Sequence, residues 1–185
     1  MAKKYNIELE VLSSLTGAKG TIVKEDNSVE QMLLSGVAKD DNIARISIIG
    51  VPDKPGLAYK IFSKLSSKGT NVDIILQSIG RNGTKDISFT VEKDRMEDTI
   101  ELLKEYTEKL GATSLVADDN VSKVSIVGAG METHPGVAAE MFEALFSRNV
   151  NIQMISTSEI KISVLVHKSD SDRAVEAIHA KFFEN

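Results

Sequence analysis

The chain has no cysteine and no tryptophan, and it has only three prolines among 185 residues. Without cysteine there is no disulfide framework, no thiolate metal site and no thiol nucleophile, which excludes several classes of enzyme. No lysine or arginine run is present, and the net charge of −5 argues against nucleic acid or an anionic membrane as a partner. No apolar run approaches the roughly 18 residues that span a bilayer. We therefore expect a cytoplasmic protein.

What the sequence does contain is an internal repeat. The segment ISIIG (46–50) matches VSIVG (124–128) further along the chain, and the distance between the two defines the repeat offset. After the next loop the offset increases slightly, so that VPDKPGLAYKIF (51–62) lies over METHPGVAAEMF (131–142). Beyond a further turn it decreases, where DISFTV (86–91) lies over KISVLV (161–166). Both changes fall in loops, as a duplicated fold allows, and they indicate two copies of one unit.

Each copy has the same order of hydrophobic periods. In the first, a β-branched run precedes a helical pattern, two alternating strands, a second helical pattern and a short closing strand. These segments are 46–51, 57–65, 72–79, 87–91, 96–106 and 114–117. The order β-α-β-β-α-β predicts an α+β fold of the ferredoxin-like type, with helices on one face of an antiparallel sheet.

The second copy lacks a closing strand, because only three residues follow its last predicted helix at 171–182. An apolar segment at 30–39 precedes the first copy and has no partner there. We infer that the first unit is inserted into the second, whose sheet is completed by strand 32–38; the alternative is a three-stranded second unit with a free linker. The predicted division is 1–28, 29–40, 43–118 and 121–185.

The repeated Pro-Gly loops are candidates for binding a small anion. Pro55 and Pro135 each stand where a strand ends and a helix begins, and proline suits the first helical turn. Gly56 and Gly136 allow a close backbone approach. Free N–H groups and the positive end of the helix dipole then favour a carboxylate or a phosphate. The alternative is an ordinary βα turn.

The strand after each helix adds polar groups. Strict alternation over NVDIILQS places Asn71, Asp73, Ile75 and Gln77 on one face, where an acid and amides could hold an ammonium group. In the second copy the corresponding residues are Asn151, Gln153, Ile155 and Thr157, which lack the acid. We therefore expect two unequal sites for a zwitterion, or else a solvated sheet face.

No motif indicates catalysis or metal binding. Gly128-Ala129-Gly130 lacks the third glycine of a dinucleotide fingerprint, and the three histidines have no metal-ligand spacing. We expect no catalytic residue, no metal and no cofactor in this chain.

The two segments that begin ISIIGVPDKPGLAYKIF and VSIVGAGMETHPGVAAEMF, with STSEIKISVLV (156–166), strongly resemble the tandem ACT domains of aspartate kinase, in the lysine- and threonine-responsive class. The resemblance implies feedback inhibition of L-aspartate phosphorylation by L-lysine, L-threonine or both. It also implies a homodimer through ACT domains, and a kinase catalytic domain or alpha subunit as partner. Residues 1–28 look like the end of the family's kinase domain. ATP and Mg²⁺ would bind the rest of that domain, which this sequence lacks.

The resemblance also implies effector-binding residues, in the βα loops and the strands that follow them. In the first unit they are Asp53, Gly56, Leu57, Ala58, Asn71, Val72, Asp73, Ile74 and Gln77. In the second they are Met131, His134, Gly136, Val137, Ala138, Asn151, Ile152 and Gln153. Thr157, Ser158 and Glu159 match a family stretch that governs feedback sensitivity. The alternative function is a structural dimerisation module that binds no effector.

Overall fold

The computed structural model describes residues 9–11, 21–23, 33–78, 82–129 and 136–184. Two short strands form a separate antiparallel pair, and eight strands with four helices form two units. The strands are β1 (Leu9–Val11), β2 (Thr21–Val23), β3 (Leu33–Asp40), β4 (Ile43–Pro52), β5 (Ile75–Gln77), β6 (Thr84–Glu92), β7 (Ser114–Asp118), β8 (Val121–Ala129), β9 (Ile152–Thr157) and β10 (Lys161–His167). The helices are α1 (Leu57–Ser66), α2 (Met96–Lys109), α3 (Val137–Ser147) and α4 (Ser171–Phe183). No helix within these ranges is long and apolar enough to cross a bilayer.

The first unit is a four-stranded antiparallel sheet, in the order β5-β6-β4-β7, with α1 and α2 on one face. Alternate residues of β4 point to the helices, so that Ile46 and Ile48 are fully buried. Helix α1 meets them with Leu57, Ile61 and Leu65, at the spacing that the sequence predicted. The first unit therefore has the ferredoxin-like arrangement expected.

The second unit repeats this architecture in the order β3-β8-β10-β9, with α3 and α4 covering one face. Its core contains Val124 and Ile126 from β8, together with Met141 and Ile178 from the helices. Strand β3 pairs with β8 along its length, from Leu33 to Asp40. The prediction that the first unit is inserted into the second, with β3 completing the second sheet, is confirmed.

The registers of β3 and β7 reveal a reciprocal exchange of strands. Asp40 stands opposite Lys123 on β8, and Asp118 stands opposite Arg45 on β4. Asp40 and Asp118 are separated by the repeat offset that relates ISIIG to VSIVG, and so are Arg45 and Lys123, which makes β3 and β7 equivalent strands. The chain is thus two repeats of the form β-β-α-β-β-α, each of which gives its first strand to the sheet of the other.

A small apolar cluster closes the seam between the two units. It consists of Ile43, Ile74, Val121, Met154 and Leu165, all at most 5% exposed. Ile43 and Val121 are repeat equivalents, as are Ile74 and Met154, so the two repeats contribute equivalent residues to the cluster. The seam therefore contains apolar contacts from both units.

Two equivalent turns cross the seam. In one, the Asn42 N–H donates to Asp40 Oδ1 at 3.0 Å, and in the other the Asn120 N–H donates to Asp118 Oδ1 at 2.9 Å. Such Asx turns tie the backbone down locally. The repeated Asp-Asp-Asn sequence therefore sets the direction in which each chain segment passes from one sheet to the other.

The prediction for the strand at 72–79 was wrong within the described residues. Only Ile75–Gln77 forms a strand, and Ile79 lies outside those residues. Val72 packs against the first core, whereas Ile74 joins the seam cluster, so the two do not share a face. The reason is that two residues stand against one: the Asp73 N–H donates to the Thr90 carbonyl at 3.2 Å, and the Thr90 N–H donates to the Ile74 carbonyl at 3.0 Å. The Ile74 N–H then bonds to the Thr90 side chain, also at 3.0 Å.

Strict alternation also failed in the second unit. Ile152 stands opposite Val166 and Ile155 opposite Val164, and both valines belong to the core between the sheet and its helices. A register shift between Leu165 and Val166 separates these pairs. A β-bulge inserts an extra residue and reverses the alternation beyond it. Asn151 and Gln153 therefore do not continue the face of Ile155.

Candidate functional site

The N-terminus of α1 carries the features of an anion site. Gly56 precedes it with φ 86°, in the left-handed region where glycine is favoured. As a glycine, Gly56 has no side chain of its own to cap the helix, and the first turn contains no acidic residue. The Lys60 N–H donates to the Gly56 carbonyl at 3.0 Å, so the N–H groups before it have no partner within the helix. These groups and the helix dipole favour a carboxylate.

The loop before α1 is held from outside the helix. The Asp53 N–H donates to the Gly83 carbonyl at 2.8 Å, and its carboxylate lies 2.7 Å from Lys85 Nζ. This fixes the loop against the start of β6, with Ala58 exposed and Leu57 buried. The predicted loop residues are therefore brought together at one end of the sheet.

The corresponding loop in the second unit is chemically different. Gly136 precedes α3 with φ 115°, and as a glycine it has no side chain of its own to cap that helix. However, α3 carries Glu140 in its first turn, where α1 carries Lys60 at the equivalent position. A negative side chain there opposes the binding of a second anion. Of the other residues predicted for this loop, Val137 is buried and Ala138 is half-buried, while Met131 and His134 lie outside the described residues.

Asp73, the predicted ammonium partner, is already engaged across the seam. Lys123 Nζ donates to its Oδ2 at 2.6 Å, and Lys161 Nζ lies 3.9 Å from its Oδ1. The hydrogen bond from Lys123 lowers the pKa of Asp73, against the smaller opposing effect of burial. Burial acts to lower the pKa of Lys123, but its bonds to Asp73 and Asp40 outweigh burial and raise that pKa. Asp73 is thus a charged carboxylate between two lysines.

This pairing predicts a pH dependence of stability. Since the folded pKa of Asp73 lies below its unfolded value of about 3.9, the stabilisation is present above that value and is lost as the pH falls through the folded pKa. We expect the stability difference between the wild type and Asp73→Asn to be constant from pH 5 to 7, and to shrink below about pH 4. Urea unfolding at a series of pH values measures it. A difference that does not shrink at all between pH 5 and pH 3 would contradict the assignment.

The two parts of the predicted first site do not meet within one copy. The Asp53 N–H bonds to Gly83, whereas the Asp73 N–H bonds to the Thr90 carbonyl at 3.2 Å, at the other end of β6. At about 3.3 Å per residue these points are roughly 20 Å apart. Gln77, opposite Ile87, lies nearer to the loop, while Asn71 lies with Asp73 at the far end. The structure thus separates the loop from Asn71–Asp73.

The residues predicted to govern feedback sensitivity lie at the end of β9 and in the turn that leads to β10. Thr157, Ser158 and Glu159 are exposed, and the Ser158 N–H donates to the Lys161 carbonyl at 2.8 Å. Lys161 is the residue whose ammonium group lies near Asp73. The hairpin is therefore joined to the predicted ammonium partner through one lysine.

The sequence reasoning missed Lys123 and Asp40. Lys123 is largely buried and bridges Asp73 and Asp40, at 2.6 and 3.2 Å. An open cleft of about 300 Å³ lies beside them, with Asn42, Asn71 and Glu92 also in its wall. The signal that could have found Lys123 is the repeat itself, since Lys123 and Arg45 are equivalent basic residues, each opposite an aspartate.

Comparison with known proteins agrees with the fold. The profile of the ACT domain matches residues 46–106 and 124–182. The chain belongs to the ACT-domain family.

Its tandem pair is, more particularly, the regulatory part found in aspartokinases. An aspartokinase from Pseudomonas aeruginosa is 44% identical over 98% of this chain, which spans only 45% of that protein. The regulatory subunit of Thermus thermophilus aspartate kinase, in its ligand-free form, is 38% identical, with a TM-score of 0.77 over 81% of this chain and 99% of the subunit. A chain from a structure of aspartokinase alpha and beta subunits is 47% identical, with a TM-score of 0.75 over 80% of this chain and 98% of that one.

Proposed function

We propose that this chain senses an amino-acid effector, L-lysine, L-threonine or both, and that it controls the phosphorylation of L-aspartate by a kinase domain. The observation that carries the proposal is the N-terminus of α1, where the cap residue Gly56 has no side chain to bond the first N–H groups, which suits the effector's carboxylate. Asp73 supplies an acid for the ammonium group. ATP and Mg²⁺ belong to the kinase domain or alpha subunit, which is the proposed partner of this region.

A second copy of the chain would complete the site. Strand β5 is at the edge of the first sheet, with Ile75 50% and Leu76 38% exposed. Exposed edges of this kind pair readily with another strand. Antiparallel pairing of β5 with the β5 of a second copy reverses its direction, and would bring that copy's Asn71 and Asp73 beside Gln77 and the α1 loop. The wide separation of the loop from Asp73 within one copy is thus the reason to propose a homodimeric site.

Calorimetry of this chain with L-lysine and L-threonine, separately and together, tests the proposal. We expect saturable heat from at least one of them. For regulation, the effector must bind one arrangement of the ACT domains more tightly than another, and a coupling of about 1–3 kcal/mol is usual. No heat from either amino acid at millimolar concentration would contradict the proposal.

A structural dimerisation module remains the second candidate function. It is favoured by one observation, that Asp73 already has Lys123 as its partner. This function predicts a dimer by light scattering, with no change in melting temperature when amino acids are added.

The charge in the first turn of α1 gives a direct test of the loop. Lys60→Glu gives α1 the acid that α3 has at Glu140, and it should weaken effector binding about three- to fivefold, because the acid opposes the carboxylate at the helix N-terminus. Lys60 is exposed, so the melting temperature should change little. The control is Glu140→Lys, which should not weaken binding. Equal losses in both variants would argue against α1 as the site.

A further inference from the structure

Lys123 holds a position from which it can compete with a ligand. Its side chain is only 16% exposed, and its ammonium group is bonded to Asp73 at 2.6 Å. The same group lies 3.2 Å from Asp40 on the neighbouring strand. An ammonium group is therefore already present where the proposed function places that of the effector.

We propose that Lys123 is a built-in competitor for Asp73, so that an amino-acid effector must displace its ammonium group in order to bind. This inference rests on the proposed function and describes how binding of the effector at that site is regulated. Displacement is feasible because Lys123 keeps a second carboxylate, Asp40, when it leaves Asp73. A buried lysine without any partner would be far more costly. Asp73 is 38% exposed and faces an open cleft, so the effector can reach it.

Displacement of Lys123 from Asp73 would also couple ligand binding to the contact between the two repeats. Lys123 lies on β8, in the second repeat, whereas Asp73 and Asp40 belong to the first. The exchange of partners therefore breaks an ion pair across the seam, next to Ile74 and Val121 of the seam cluster. A ligand bound to one repeat thereby changes how that repeat is held to the other.

The equivalent arrangement around Arg45 has no acidic residue at the position that corresponds to Asp73. Arg45 pairs with Asp118 at 3.1 Å, as Lys123 pairs with Asp40. The residue equivalent to Asp73 is Gln153, which has no charge. The competition is thus confined to one of the two equivalent positions, and Arg45 provides a matched control.

Calorimetry with L-lysine and L-threonine on five variants tests the proposal, the fifth being the double variant of Asp73 and Lys123. Lys123→Gln should bind effector about three- to tenfold more tightly, because Asp73 is then free for the ligand. Asp40→Asn should bind more weakly, because Lys123 has lost its alternative partner. Arg45→Gln should be unchanged. In an Asp73→Asn background, Lys123→Gln should give no gain.

The opposite signs for Lys123 and Asp40 separate competition from a structural role, since both substitutions weaken the same ion pair and a structural role would move both in one direction. A gain that persists in the Asp73→Asn background would indicate long-range electrostatics and overturn the proposal, as would unchanged or weaker binding by Lys123→Gln. If Lys123→Gln does not fold, Asp40→Asn decides, and unchanged or tighter binding by it overturns the proposal. If neither the wild type nor any variant binds either amino acid, the proposed function fails as well.

Discussion

Gly50→Ala is expected to lower the free energy of unfolding by about 3 kcal/mol, from positive-φ strain and from overpacking together. Gly50 has φ 68°, and a Cβ at this position would lie 2.2 Å from Thr113 Oγ1 and 2.9 Å from Thr113 Cβ. The backbone is held by hydrogen bonds at both Gly50 and Thr113. The Gly50 N–H is bonded to Asp86 Oδ1 at 2.8 Å, and the Thr113 N–H to the Ile49 carbonyl at 2.8 Å. Urea unfolding measures the loss.

Gly69→Ala is the matched control for this prediction. Gly69 has φ 70°, almost the same backbone angle, but a Cβ there would have no atom within 4 Å. This substitution should cost only the backbone strain, about 1–2 kcal/mol. The difference between the two variants isolates the contact with Thr113. Equal losses would show that β4 and the segment before β7 can move apart, and that the close packing at Thr113 contributes little.

Asp73→Ala is expected to weaken effector binding at least about tenfold, because it removes the acidic partner of the ammonium group from a partly closed site. The effect should be largest for whichever of L-lysine and L-threonine binds this chain more tightly. Calorimetry with each amino acid measures it. The variant also loses the ion pair with Lys123, so its melting temperature is measured alongside.

Gln153→Ala is the corresponding change in the second repeat and should affect binding much less, because no charge is removed. If Asp73→Ala binds normally, the ammonium group is held elsewhere, and Gln77 or backbone carbonyls become the first candidates. Such a result would also remove the basis for competition by Lys123. The two substitutions together therefore show whether the sites of the repeats differ as their sequences do.

The fold was predictable because its evidence is redundant. Two copies of one hydrophobic pattern, with offsets that change only in loops, identified the units and located β3 as the missing strand. The reciprocal exchange was implicit in the same pattern, since Asp40 and Asp118 are separated by the repeat offset and precede equivalent strands. The exchange became evident only from the strand registers, because a strand as short as Ser114–Asp118 has too few residues for a distinct hydrophobic pattern.

The site was less predictable, for two physical reasons. Alternation assumes an unbroken ladder, but Asp73 and Ile74 both stand against Thr90, and a bulge interrupts the ladder in β9. The environment of Asp73 depends on Lys123, which is distant in sequence and reaches it only across the seam. Local patterns identify candidate side chains, whereas their ionic partners are set by how the two repeats pack. The assignment of the effector-binding residues therefore stays a prediction.

The reciprocal exchange of β3 and β7 has a consequence for the synthesis of the chain. Strand β3 ends at Asp40, and the strand that it pairs with begins at Val121, after the whole of the first unit has been made. The first sheet likewise waits for Ser114–Asp118 to cover the open side of β4. On the ribosome, neither repeat can therefore complete the sheet beneath its own helices before synthesis of the other repeat is under way. A division of this chain at its apparent midpoint would leave two halves, each of which holds a strand that belongs to the other.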